Sequence, residues 1–389
     1  MIETGLEVFL KKDHKRFQKM RLGVVCNQAS VTADLRHISE LLLQKKYKLQ
    51  VNAFFGPQHG IRGEKQDNMV ESDDFKDPIT GIPVYSLYGY TRVPVDKMMT
   101  DIDAFIVDLQ DIGTRIYTFM YTLANCMKAA KQKGLKVIVL DRPNPINAVT
   151  VEGNLLNEEY ASFVGQYPMA VRHGLTMGEL AHFFNETCGI GCDLEVIQMK
   201  GYKRNSWGDQ WDREWTPPSP NIPCLTAAIV FPGMVHFEGT NVSEGRGTTR
   251  PFDFVGAPFI NADKLAAHMN GLKLKGTYFR PIFFQPTYQK CKDQVCGGVH
   301  THVTDRNAFN AFEAGVHLLS SIHEFYPKDL KWKQPPYEYV NDKLPLDVIA
   351  GTDRLRLAIE KGTVQDFLKE SKAEAKAFQK STKQFYLYK

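Results

Sequence analysis

Short apolar runs bounded by polar or turn residues recur through the first half of the chain. Residues 21–26, 51–55, 84–88, 104–109 and 136–140 are each rich in branched or aromatic side chains, which suits strands. Between them lie amphipathic stretches at 35–46, 95–100 and 118–133, the last followed by Gly134 as a C-terminal cap. Near-continuous apolar strands alternating with helices predict a parallel sheet covered on both faces. The expected class is therefore α/β, a Rossmann-like doubly wound parallel sheet. Thr176-Met-Gly-Glu179 has the spacing of a capping box ahead of a helix at 180–185, with a strand at 194–199 after it. Beyond Pro258 the texture changes to helices at 262–270, 307–325, 353–361 and 364–380, with strands at 277–284 and 298–303. This predicts a smaller α+β auxiliary domain, so the expected division is 1–257 and 258–389.

Composition narrows the function classes. With 389 residues, 43% hydrophobic and 24% charged, the chain has the makeup of a globular protein with two moderate cores. A net charge of +4 without a basic cluster gives no reason to expect nucleic acid as a partner. No apolar run approaches the ~20 residues of a membrane span, and residues 1–20 lack the apolar core of a signal peptide, so a cytoplasmic location is expected. Seven cysteines, an odd number, do not read as a disulfide framework. Cys188-x3-Cys192 and Cys291-x4-Cys296 have no Cys/His set beside them that would complete a metal site, and neither do His300 and His302.

In an open parallel sheet, ligands bind beyond the carboxyl ends of the strands. Those ends are polar here: Asn27-Gln28, then Gly56-Pro-Gln58-His59, then Asp108-Leu-Gln-Asp111 with Arg115, then Asp141-Arg142-Pro-Asn. Such residues also make good turns, and the agreement of four ends is what points to a site. Phe54 to Glu64, "FFGPQHGIRGE", reads as a strand end running into a polar loop, since its glycines and proline interrupt regular structure. "FEGTNVSEGRGTTRPF", residues 237–252, combines glycines that permit close backbone approach with Glu238, Glu244 and Arg246. Neither a Gly-x-Gly-x-x-Gly fingerprint nor a P-loop is present, which disfavours nucleotide. Trp207 to Pro223 is a loop dense in Trp, Pro and Asp, ordered by packing or by a ligand. His173 either packs the junction before the capped helix or lines the cleft, and Glu179 serves the cap.

The segments "FGPQHGIRG", "DLQDIGTRIYT", "LDRPNP", "VEGNLL", "SFVGQYPMAVRHGLTMGELAHFFN", "PPSPNIP", "FPGMVHFEGTNVSEGRGTTRPFDFVGAP" and "GTDRLRLAIEKG" occur in this order between Gly23 and Gly362. Together they closely resemble the exo-β-N-acetylmuramidases of the NamZ type. The resemblance implies a Rossmann-like domain with an auxiliary domain, an active site in the cleft between them, and no nucleotide or metal cofactor. It also implies hydrolysis of terminal N-acetylmuramic acid from the non-reducing end of peptidoglycan fragments, with an amino sugar or muropeptide as partner. One position departs from the family pattern: Gln58 stands where Glu is expected, and an amide cannot transfer a proton near neutral pH.

Three consequences of Gln58 are open at this point. Another carboxylate performs the proton transfer, with Glu244, Glu238, Asp111, Asp141 and Glu64 available; or the chain binds a muropeptide without cleaving it; or it cleaves a related glycoside. Outside the family, Asp108, Asp111 and Asp141 around Mg²⁺ would suit a phosphate-handling enzyme. Glu244 is expected as general acid/base and Asp111 as supporting carboxylate, with Gln58, His59 and Asn27 around the acetamido group or water. Arg62, Arg115 and Arg246 are expected on the lactyl carboxylate, which a guanidinium can bind in bidentate fashion. Asp141, Arg142, His173, Asn221, Glu238 and Asn241 complete the expected substrate surface.

Overall fold

The structure, a computed structural model, describes residues 2–67 and 69–389. Its strands, in chain order, are β1 (Arg21–Cys26), β2 (Gln50–Gly56), β3 (Phe75–Lys76), β4 (Pro83–Ser86), β5 (Ala104–Asp108), β6 (Lys136–Leu140), β7 (Glu152–Leu155), β8 (Ala170–Arg172), β9 (Asp193–Ile197), β10 (Phe254–Ala257), β11 (Thr277–Phe284) and β12 (Cys296–Val303). Seven of them form one sheet in the order β3-β4-β2-β1-β5-β6-β9. Every pairing in it is parallel except that of β3, an edge strand, with β4.

Side chains alternate across this sheet, and both faces are apolar. Leu22, Val24, Ala104, Ile106, Ile138 and Leu140 pack toward helix Gly5–Lys11 and helix Ile38–Leu42. Val25, Phe105, Val107, Val137 and Val139 pack on the opposite face, toward helices Phe119–Lys133 and Met177–Glu186. Burial on two sides is why these strands read as unbroken apolar runs rather than as alternating ones. The capping box forms as its spacing predicts, with Thr176 N–H donating to Glu179 at 3.0 Å and Glu179 N–H to Thr176 Oγ1 at 3.3 Å. The helix expected over 35–46 is instead two short turns, Ile38–Leu42 and Lys45–Tyr47, because Gln44 is extended between them.

The second unit is a three-stranded antiparallel sheet, β10-β12-β11, with helices Ala262–Gly271, Ala311–Phe325, Arg354–Lys361 and Val364–Thr382. β10 belongs to this sheet, and helix Leu225–Met234 packs on helix Ala311–Phe325. The apolar face of the large sheet and the core of the second unit form one continuous cluster. Among the described residues, no helix is long and apolar enough to cross a membrane.

Helix Leu225–Met234 leads directly into the one-turn element Val235–Gly239, which carries Glu238. Its position is set by a crossing of two glycines. A Cβ on Gly233 would collide with the backbone of Ala311, and one on Gly315 with the backbone of Gly233. Gly233→Ala is therefore expected to cost about 1–3 kcal/mol through overpacking. The check is a lowered midpoint of denaturant unfolding with an unchanged slope.

Candidate active site

A cleft lies between the two units. Five segments contribute to it. Gln58 and His59 come from the turn after β2, and Tyr117, Thr118 and Phe119 from the loop between β5 and its helix. Ser219, Asn221 and Ile222 come from the Trp207–Pro223 loop, and Glu238, Arg246 and Phe252 from the glycine-rich segment. Tyr337 and Glu338, from the second unit, close it. Segments 54–64 and 237–252 thus both contribute to one cleft.

The turn after β2 aims its two polar residues by backbone geometry. His59 has φ of 72° and Gly60 of 83°, so the chain reverses sharply after Gln58. His59 Nδ1 lies 2.7 Å from the Lys65 carbonyl, which only accepts, so the proton sits on Nδ1 and Nε2 is the acceptor. Burial, with the nearby Arg246 charge, lowers the imidazole to about 4 against the Lys65 hydrogen bond, and the ring is neutral at pH 7. Thr118 Oγ1 donates to Gln58 Oε1 at 2.8 Å, which fixes the amide in the cleft that Glu338 also lines.

Arg246 organises the opposite wall. It donates to Glu238 Oε1 at 2.5 Å, its Nε lies 3.3 Å from Glu244, and its Nη1 lies 3.8 Å from Asp67. Tyr337 Oη donates to Glu238 Oε2 at 2.7 Å. Among the described residues Arg246 is the single arginine lining the cleft, and its charge is already matched by carboxylates. A substrate carboxylate placed there would meet like charge, which weighs against the lactyl role expected of it.

Several other expected site residues sit elsewhere. Glu244 is buried behind the wall in an ion pair with Lys290. Burial opposes its charge, but Lys290 and Arg246 outweigh that and hold the carboxyl below its usual range. It is therefore ill suited to give up a proton. Asp111 and His173 are paired with each other at 3.1 Å, and Asp111 also accepts from Gly113 N–H; neither lines the cleft. Of the two uses open to His173, packing the junction is the one observed, as Leu175 N–H donates to its Nδ1 at 3.1 Å. Asn27 donates to the Pro218 carbonyl at 2.7 Å and so fastens the loop that carries Ser219 and Asn221.

The remaining arginines are also committed. Arg115 is fully enclosed and donates to the carbonyls of Asn154, Met169, Ile349 and Ala350, joining the two units. Arg142 is ion-paired with buried Asp108, and Arg62 is exposed and paired with Asp77 at 2.9 Å. Asp141 lies beneath the capped helix, accepting from Thr176 Oγ1, Gly178 N–H and Tyr388 Oη, and its burial raises it to about 7. Asn241 bridges Asp329 and Lys331 through their backbone. Asp108, Asp111 and Asp141 thus each have separate partners, and among the described residues no three metal-ligating side chains cluster.

Sequence reasoning missed Glu338 and Tyr337. Tyr337 and Val340 exchange backbone hydrogen bonds of 3.0 and 2.9 Å around Glu338 and Tyr339, whose φ values are 45° and 68°. Two positive φ angles are the signature of a type I′ turn, which normally takes Asn-Gly or Asp-Gly. Glu-Tyr gives no such signal. The one cue was a glutamate set between tyrosines after Pro335-Pro336.

Residues 22–226 match the N-terminal family model of exo-β-N-acetylmuramidase NamZ, and residues 229–388 match its C-terminal model. The chain is 39% identical over 388 residues to the peptidoglycan β-N-acetylmuramidase NamZ of Bacillus subtilis (strain 168), covering 100% of this chain and 91% of that protein. A DUF1343 family protein of Bacteroides fragilis has a crystal structure that superimposes with a TM-score of 0.88 at 33% identity, over 100% of this chain and 99% of that one. A second DUF1343 protein of the same organism gives 0.74 at 26% identity, with the same coverage.

Removing Lys290 would leave Glu244 buried with only the longer Arg246 contact. Breaking one partner of a buried pair costs about 3–5 kcal/mol, so Lys290→Met is expected to be strongly destabilised in equilibrium unfolding at pH 7. Arg62→Met, at an exposed pair, should change stability by less than about 1 kcal/mol in the same assay.

Proposed function

The chain belongs to the exo-β-N-acetylmuramidase NamZ family, and from that membership and the cleft between its two units we propose a glycoside hydrolase. Its reaction is release of N-acetylmuramic acid from the non-reducing end of peptidoglycan fragments, a step that suits recycling of cell-wall material. The observation that carries this reading is that Glu238 and Glu338, two carboxyls on segments from different parts of the chain, line one cleft. Glycosidases use such a pair, or one carboxyl with the substrate's own acetamido group. Gln58, His59 and Asn221 supply amide and imidazole groups suited to an acetamido group and sugar hydroxyls. Arg246 serves here to hold Glu238 rather than to bind the lactyl group.

The Mg²⁺-dependent phosphate reading needs three aspartates to converge, and their separate partners argue against it. A second reading, a protein that holds a muropeptide without cleaving it, draws on the amide of Gln58.

The test is incubation with a chromogenic β-N-acetylmuraminide and with the matching β-N-acetylglucosaminide. Turnover of the first in clear excess over the second, unaffected by a chelator, is the expected result. Calorimetric binding of N-acetylmuramic acid without turnover would favour the binding protein, and neither binding nor turnover would overturn both.

A further inference from the structure

Of the two glutamates lining the cleft, only one is bound to a cation. Glu238 is held by Arg246, whereas Glu338 forms no ion pair among the described residues. Its hydrogen-bond donor is neutral: Tyr88 Oη, at 2.8 Å from Oε2. Gln58 is fixed by Thr118. The backbone adds an independent sign. Glu338 and Tyr339 hold a turn conformation that neither residue type favours, and strained non-glycine residues persist mainly where a site needs them. The turn is braced from outside, where the Arg92 guanidinium lies 3.9 Å from the Tyr339 ring centroid and 4.5 Å from that of Tyr88.

Resting on the hydrolase reading, we infer that Glu338 is the general acid of the reaction, the group that protonates the glycosidic oxygen beside the non-ionisable Gln58. As the bond from C1 to that oxygen breaks, its electron pair stays with the oxygen, which takes the proton from the Glu338 carboxyl. Water then supplies a hydroxyl to C1 and a proton that restores the acid, so one water is consumed and two hydroxyls are formed. The carboxylate left behind at the first step accepts from Tyr88, which spreads its charge.

The charge environment is consistent with this role. Burial first, and then the negative charge of Glu238, raise Glu338 to about 7 against Tyr88, Arg92 and Gln58, which favour its ionised form. The carboxyl is thus protonated below about pH 7 and charged above it. His59, neutral with its Nε2 accepting, cannot fill the same role at that pH.

The experiment compares the wild type with Glu338→Gln and Glu338→Asp on two substrates that share the sugar. One is a disaccharide with N-acetylglucosamine as leaving group, and the other a 2,4-dinitrophenyl glycoside, whose leaving group departs without a proton. Glu338→Gln is expected to lower kcat on the disaccharide by about 10²–10⁴-fold while hardly affecting the dinitrophenyl substrate, with Glu338→Asp in between. KM should stay within about threefold, which a general loss of structure would not give. In the wild type, kcat/KM on the disaccharide should fall as the pH rises from roughly 6 to 8, and that limb should be absent in the variant's residual activity. The wild-type pH profile needs no variant, so it stands even if a substitution impairs folding. Equal losses on both leaving groups, disaccharide turnover by Glu338→Gln at wild-type rate, or a wild-type profile flat across that range would each overturn the assignment and leave the hydrolase reading intact. A wild type inactive on both substrates would instead overturn that reading, and this inference with it.

Discussion

The arginine at position 246 is the hub on which the cleft depends. Its guanidinium joins Glu238 on the one-turn element, Glu244 in the glycine-rich loop and Asp67 beyond β2, while Lys290 closes the far side of Glu244. Buried charges are costly unless they are paired and hydrogen-bonded, so these five groups must assemble together. Their assembly fixes a wall against which Tyr337 can donate to Glu238, and Tyr337 in turn sets the height of the turn bearing Glu338. Geometry at one side of the pocket is in this way transmitted to the other through a single cation.

Polar strand ends do two kinds of work here. At β2 they face the cavity as Gln58 and His59. At β1, β5 and β6 they are mortar: Asn27 pins a loop, Asp108 holds Arg142, and Asp141 anchors a helix. The rule that ligands bind beyond the carboxyl edge of a parallel sheet therefore located the region without distinguishing its two uses. What separates them is whether a side chain's hydrogen-bonding capacity is already taken up by neighbouring backbone, and that depends on loops far away in the chain.

This explains the uneven legibility of the sequence. Strands at 21–26, 136–140 and 277–284 and the capping box at Thr176 were readable to the residue, since they follow from local periodicity and cap chemistry. Helix Leu225–Met234 was not, because it is apolar all round and contains Pro232. The cleft was legible where segments were rich in glycine and charge, as at 56–60 and 237–252. It was illegible at Glu338, whose turn lacks the residues that such turns ordinarily require, and at Glu244 and Arg115, for which Lys290 and Ala350 lie 46 and 235 positions away.

The carboxyl of Asp141, at the end of β6 in the first unit, accepts a hydrogen bond of 2.6 Å from the hydroxyl of Tyr388. Arg115 of that same unit donates through Nη2 to two carbonyls of the second. Each half consequently completes the buried polar groups of the other. A chimaera joining the first half of one relative to the second half of another would inherit unmatched donors and acceptors in its interior, so recombination within this family should favour exchange of whole chains over exchange of modules.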